Sequence, residues 1–226
     1  MREYYERFPV VEVQQTFYEP PGKSTLLRWR ESAPQGFEFT LKAWQLITHE
    51  ATSSTYRRLK RPLTAGEKSG CGAFRSSPIV REAWAKTVEC AAVLRASSVL
   101  FQCPASFRPT PDNLERMRNF FQQIERAGLR FLWEPRGPAW PLELAGSLCR
   151  ELDLIHVVDP FVNATTNQEF KYFRLHGISG SRHTYSDEEL RRLEAMTSGA
   201  DVAYVMFNNL PRDNDSARFM RMLGKG

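Results

Sequence analysis

Acids, bases and amides recur in this chain at the ends of short apolar runs. Glu12 lies within Val10–Gln14 and Lys42 within Phe37–Ala43. Gln102 closes Val99–Phe101, Glu134 closes Leu129–Trp133, and Asp159 follows Leu154–Val158. Arg174 and His176 alternate along Tyr172–Gly177, and Asn208 and Asn209 follow Val202–Phe207. Carboxylates and imidazoles move protons; guanidinium and ammonium groups clamp anions. We therefore assign proton transfer to Glu12, Glu134 and His176. Substrate binding falls to Lys42, His49, Gln102, Arg136, Asp159, Arg174, Asn208 and Asn209. Two carboxylates about 5–10 Å apart also suit cleavage of a glycosidic bond, so hydrolysis and isomerisation both stay open.

Each residue has a plainer reading. Glu12 and Lys42 form a salt bridge inside a barrel, and Glu134 and Arg136 pair across a turn. Asn208-Asn209 is a turn, or a pair of amides for hydroxyls and phosphate oxygens. His156, mid-strand among apolar residues, reads as a core histidine, and His183, in a Ser/Gly/Arg loop, as solvated. Glu12, Glu134, Asp159 and His176 are also ligand types for a divalent metal. Against that stand a total of four histidines, no paired ligand motif, and the nearby cations Lys42 and Arg174. The expectation is neither metal nor other cofactor.

Such residues converge only if the segments between them bring the strand ends together. The chain alternates accordingly. A helix tail over Met1–Phe8 precedes the first strand, and Ser24 is the expected N-cap of a helix over Thr25–Ala33. Helices are also expected over Ile79–Arg95, Thr110–Ala127, Leu142–Glu151 and Asp213–Leu223, with another opened by the Ser186/Glu189 capping box. Phe161–Lys171 is a short crossover. Strand–helix alternation implies a parallel sheet covered by helices, an α/β fold of the TIM-type (β/α) barrel kind. About seven strands are recognisable, one short of eight, and the chain starts on a helix, which points to a missing or truncated first strand. The polar stretch of about residues 44–77, with Arg57, Arg58, Lys60, Arg61 and Lys68, reads as a long basic functional loop.

With 226 residues, 42% hydrophobic, 25% charged and a net charge of +5, a single soluble domain spanning 1–226 is expected. Cys71, Cys90, Cys103 and Cys149 form no C-x-x-C pair. No signal peptide or long apolar run stands out, so a cytoplasmic protein without a membrane partner is expected. Gly-rich phosphate loops, H-E-x-x-H and G-x-S-x-G are absent.

From Phe8 to Asn209 the sequence resembles the family called domain of unknown function 72, or YecE-like. The resemblance rests on FPVVEVQQTFY (8–18), FEFTLKAWQLITHE (37–50), LFQCPASF (100–107), WEPRG (133–137), Leu154–Pro160, YFRLHG (172–177), YSDEEL (185–190) and FNN (207–209). It implies a TIM-type barrel and no particular reaction. It also implies a strand with a Gly-rich turn ahead of the Tyr-Tyr helix, which this chain lacks. The first functional reading is an enzyme for a small polar or anionic substrate: a sugar phosphate, phosphodiester or glycoside. The alternative is a non-catalytic nucleic-acid binder using the basic loop with Tyr56 and Phe74. Oligomeric state is left open.

Overall fold

The computed structural model describes residues 2–224, and strands alternate with helices along them. Met1, in the expected helix tail, lies outside the described residues. Met1–Pro141 with Arg150–Leu154 form one compact unit, and Leu142–Cys149 with Ile155–Gly226 form another.

The first unit runs α1 (Arg2–Arg7), β1 (Val10–Val13), α2 (Gln15–Tyr18), α3 (Lys23–Ser32), β2 (Glu38–Lys42) and α4 (Gln45–Thr48). A 3-10 turn (Ser54–Arg58), α5 (Ala65–Gly70), α6 (Pro78–Leu94), β3 (Ser98–Gln102), α7 (Pro111–Gln123) and β4 (Arg130–Glu134) follow. β1 to β4 are parallel, each beside its sequence neighbour: Glu12 lies opposite Thr40, Lys42 opposite Leu100, and Gln102 opposite Glu134. Side chains alternate along a strand. This register therefore puts Glu12, Thr40, Lys42, Gln102 and Glu134 on one face, and Phe39, Leu41, Val99, Phe101, Phe131 and Trp133 on the other.

The aromatic face is where the helices pack. Phe101 meets Trp84, Phe120, Phe121 and Phe131 at centroid distances of 4.9–5.8 Å. Tilted and edge-on ring pairs add about 0.5–1.5 kcal/mol each beyond area burial. α6 and α7 are aimed at this face by their starts. Ser77 accepts from Val80 N and Thr110 from Asn113 N, and each cap is followed by a proline.

α8 (Leu142–Leu152) divides between the units. The second unit continues with β5 (Ile155–Val158), β6 (Phe170–Leu175), α9 (Asp187–Thr197), β7 (Val202–Phe207) and α10 (Arg212–Met222). β5, β6 and β7 are again parallel, with Val157 opposite Tyr172 and Arg174 opposite Met206. Val158, Phe173 and Leu175 bury against Tyr185, Leu190, Leu193 and Phe219. Lys171 shares the face of Phe173. Its ammonium donates to Met196 O (3.1 Å) and Ser198 O (2.7 Å), capping the end of α9 where carbonyls lack helical partners.

Several expectations need correction. Ser24 is not an N-cap, because α3 starts at Lys23 behind Gly22. α7 stops at Gln123, four residues before Ala127: Ala127 and Gly128 both take positive φ and turn the chain. Residues 44–77 are not one irregular loop. They hold α4, the 3-10 turn and α5, the last opened by a Thr64/Glu67 capping box. The short crossover expected over Phe161–Lys171 does join two parallel strands, β5 and β6, but β6 already begins at Phe170. The expected capping box of α9 is present, with Ser186 accepting from Glu189 N. No helix of the described residues is long and apolar enough to cross a membrane.

Candidate functional site

β1 ends in Glu12-Val13, β2 in Lys42, β3 in Gln102 and β4 in Glu134. In a parallel sheet these are the carboxyl ends, the side that carries chemistry in such folds. Glu12 (8% exposed), Lys42 (4%) and Glu134 (3%) are all buried. The Lys42 ammonium donates to Gln102 Oε1 at 2.8 Å and sits 4.0 Å from the Phe17 ring centroid. The Gln14 side-chain amide donates to Glu12 Oε1. Arg136 Nε lies 3.2 Å from Glu134 Oε1, so the turn pair envisaged from sequence exists; its carboxylate is buried while its guanidinium is about one-third exposed.

α2, which sequence reading missed, sets the geometry on the β1 side. The Thr16 hydroxyl lies 2.8 Å from Lys42 O and 3.0 Å from Val13 O, tying the ends of β1 and β2. One residue on, Phe17 faces both Lys42 and, edge-on at 4.9 Å, His49. A four-residue helix between a strand and Pro20 carries almost no periodic signal. Thr16 and Phe17 within FPVVEVQQTFY were the available hint.

His49 is buried behind α4, with Nδ1 2.8 Å from Thr48 Oγ1. Burial, then the charges of Lys42 and Arg136, lowers its pKa to about 4. It is a neutral imidazole at physiological pH, fit to accept a proton or a hydrogen bond. α4 just ahead of it is braced by Gly72 N on Leu46 O and Ala73 N on Thr48 O, and the Tyr56 hydroxyl donates to His49 O at 2.7 Å.

The second unit holds its own strand-end residues. Asp159 Oδ2 accepts from His176 N at 2.8 Å and Oδ1 from Phe161 N at 3.1 Å, so this carboxylate shapes the turn after β5 and the exit of β6. Arg174, 2% exposed, reaches Asn208 Oδ1 at 3.5 Å. Asn209 is fully buried, its amide donating to His183 O (2.9 Å) and Asp215 Oδ2 (2.6 Å). His156 is buried, as expected, and burial lowers its pKa to about 4. His183 is not simply solvated: it lies 3.0 Å from Ser179 Oγ and 3.1 Å from Glu189 Oε2, edge-on to Tyr185.

Among the described residues, no three His, Cys, Asp or Glu side chains are placed to hold a metal ion. The basic stretch is partly neutralised. Arg61 grips Glu67 through both terminal nitrogens, Arg75 pairs with Glu50, and Phe74 is fully buried rather than available for stacking. The hollows around α2 adjoin the strand-end group rather than coincide with it. One of about 270 Å³ lies beside Trp44 and another of about 460 Å³ beside Gln14.

Fold and strand-end residues together define an α/β protein with parallel strands of TIM-barrel type. The family model described as "Protein of unknown function DUF72" matches residues 1–225, and the chain belongs to that family. A DUF72 protein of Enterococcus faecalis superposes with a TM-score of 0.75 at 20% identity, over 99% of this chain and 87% of that one. A DUF72 protein of Thermotoga maritima gives 0.68 at 20%, over 96% and 85%. A xylose isomerase domain containing protein of Salmonella typhimurium gives 0.59 at 12%, over 99% and 90%. Nothing among the curated proteins matches.

Proposed function

We propose that this protein is an enzyme that transfers protons on a small polar or anionic, sugar-like substrate at the strand ends of its first unit. The observation that carries the reading is the burial of Glu12, Lys42 and Glu134 on one face at adjacent carboxyl ends. Burying charge is expensive unless it is paired, and apolar residues of similar size would serve stability as well. Glu134 is the proposed base, with Glu12 as its counterpart. Lys42, with Gln102 fixing its ammonium, stabilises negative charge developing on a substrate oxygen. His49 supplies a neutral donor or acceptor, and Arg136 holds Glu134 in place.

Isomerisation is favoured over hydrolysis by analogy of fold with the xylose isomerase domain neighbour. For the second unit we keep His176 as a proton-transfer group and Arg174, Asp159, Asn208 and Asn209 as binding groups, each tested by its own substitution. Four buried cysteines outside any disulfide favour a reducing compartment, and we propose the cytoplasm.

The test is a screen of aldoses, ketoses and their phosphates for deuterium exchange from solvent, with Glu134→Gln and Glu12→Gln as comparisons. Loss of a positioned base lowers turnover about 10²–10⁴-fold. Glu134→Gln with wild-type turnover on an active substrate rejects the assignment.

A further inference from the structure

Beside Gln14 lies a hollow of about 460 Å³, lined also by Gln15, Tyr18, Glu19, Arg58 and Lys60. The Arg58 guanidinium carbon stands 4.1 Å from the centroid of the Tyr18 ring. Stacking uses the flat face of a guanidinium and leaves its N–H edges free for an oxyanion. Arg58 and Lys60 form no ion pair among the described residues, whereas Arg61 and Arg75 each hold a carboxylate. The one acid in the wall, Glu19, accepts from the Lys60 backbone N–H at 3.4 Å.

The hollow is tied from beneath. Gln45, fully buried, donates its side-chain amide to Tyr18 O (2.8 Å) and Thr55 O (3.4 Å), so α2 and the 3-10 turn that carries Arg58 are held by one side chain. The Trp44 indole N–H donates to Tyr18 O as well, at 3.3 Å. Gln14, in the wall, donates to Glu12. The hollow is thus one side chain away from a proposed catalytic carboxylate.

We infer that Arg58 and Lys60 seat the phosphate of a phosphomonoester whose organic part extends past Gln14 towards Glu12. This rests on the proposed function for the direction of the substrate, though not for the binding of the anion. Two cations with free N–H groups suit a dianion, and a phosphomonoester carries about two negative charges at pH 7. An open, solvated seat makes the attraction salt-sensitive.

The test is calorimetric titration of the full chain with inorganic phosphate and with glucose 6-phosphate, glucose being the neutral comparison. Expected is one site for each anion, none for glucose, and about tenfold weaker anion binding in the Arg58→Ala/Lys60→Ala double variant. Arg61→Ala, which removes a cation already paired with Glu67, leaves the affinity unchanged. Absence of phosphate binding, or equal binding by the double variant, overturns the inference. So does tighter, steeply salt-dependent binding of a single-stranded oligonucleotide through the same residues, which makes this a polyanion surface. Binding needs no turnover. If Glu134→Gln keeps full activity while phosphate still maps to Arg58 and Lys60, the catalytic reading falls and the anion seat stands.

Discussion

Lys42 shows what a single residue can and cannot reveal. Its place at a strand end was readable, since alternation sets it apart from Phe39 and Leu41. Its partners were not: Gln102 is sixty residues away, and Phe17 belongs to a helix too short for periodicity. The two buried histidines make a pH prediction. His49 and His156 each have a pKa lowered to about 4 from the usual 6.5. Below 6.5 the unfolded chain takes up protons that the folded one refuses. Their contribution to stability is therefore complete above about 6.5 and is lost as pH falls through 4. Each accounts for up to about 3 kcal/mol over that window. Urea unfolding at pH 7.0, 5.5 and 4.5 measures it, and His156→Gln flattens the dependence. An unchanged slope in that variant assigns the acid sensitivity elsewhere.

At the scale of elements, what mattered was how segments are held rather than where they are. Residues 44–77 looked irregular because no apolar period runs through them. They fold because Leu46, Ile47 and Phe74 are buried and Gly72 N, Ala73 N and Phe74 N bond back to residues 46–48. Gly72 has φ +76, and a Cβ there would stand 2.4 Å from the backbone carbonyl of His49. Gly72→Ala therefore displaces His49 and destabilises by about 2 kcal/mol or more, combining left-handed strain with the clash. Thermal unfolding reads the loss, and a variant as stable as wild type shows that the contact relaxes. The Lys171 cap gives a second test. Lys171→Met removes two hydrogen bonds from the last carbonyls of α9 and lowers stability by about 1–3 kcal/mol. Faster amide exchange confined to the last turn of α9 distinguishes the lost cap from a general loosening.

Across the whole molecule, all four cysteines are buried and none is in a disulfide. Burial raises the pKa of Cys90 to about 11 and of Cys103 to about 12. Thiolate is the reactive form, so these groups are inert in the folded state. Ellman's reagent is expected to label none of the four thiols quickly in native protein and all four in guanidinium, with unfolding unaffected by reductant. Rapid native labelling of even one thiol contradicts the burial.

The alternation of strands and helices was decided by sequence alone, because period two, capping residues and proline stops are local signals. So was the run of polar residues at strand ends. Tertiary structure alone decided which of them meet: Thr16 at the ends of β1 and β2, Gln102 on Lys42, and Asn209 on His183. A hydrogen bond or ion pair between distant positions depends on register and on the direction of each side chain. Neither is written in the spacing of residues along one chain.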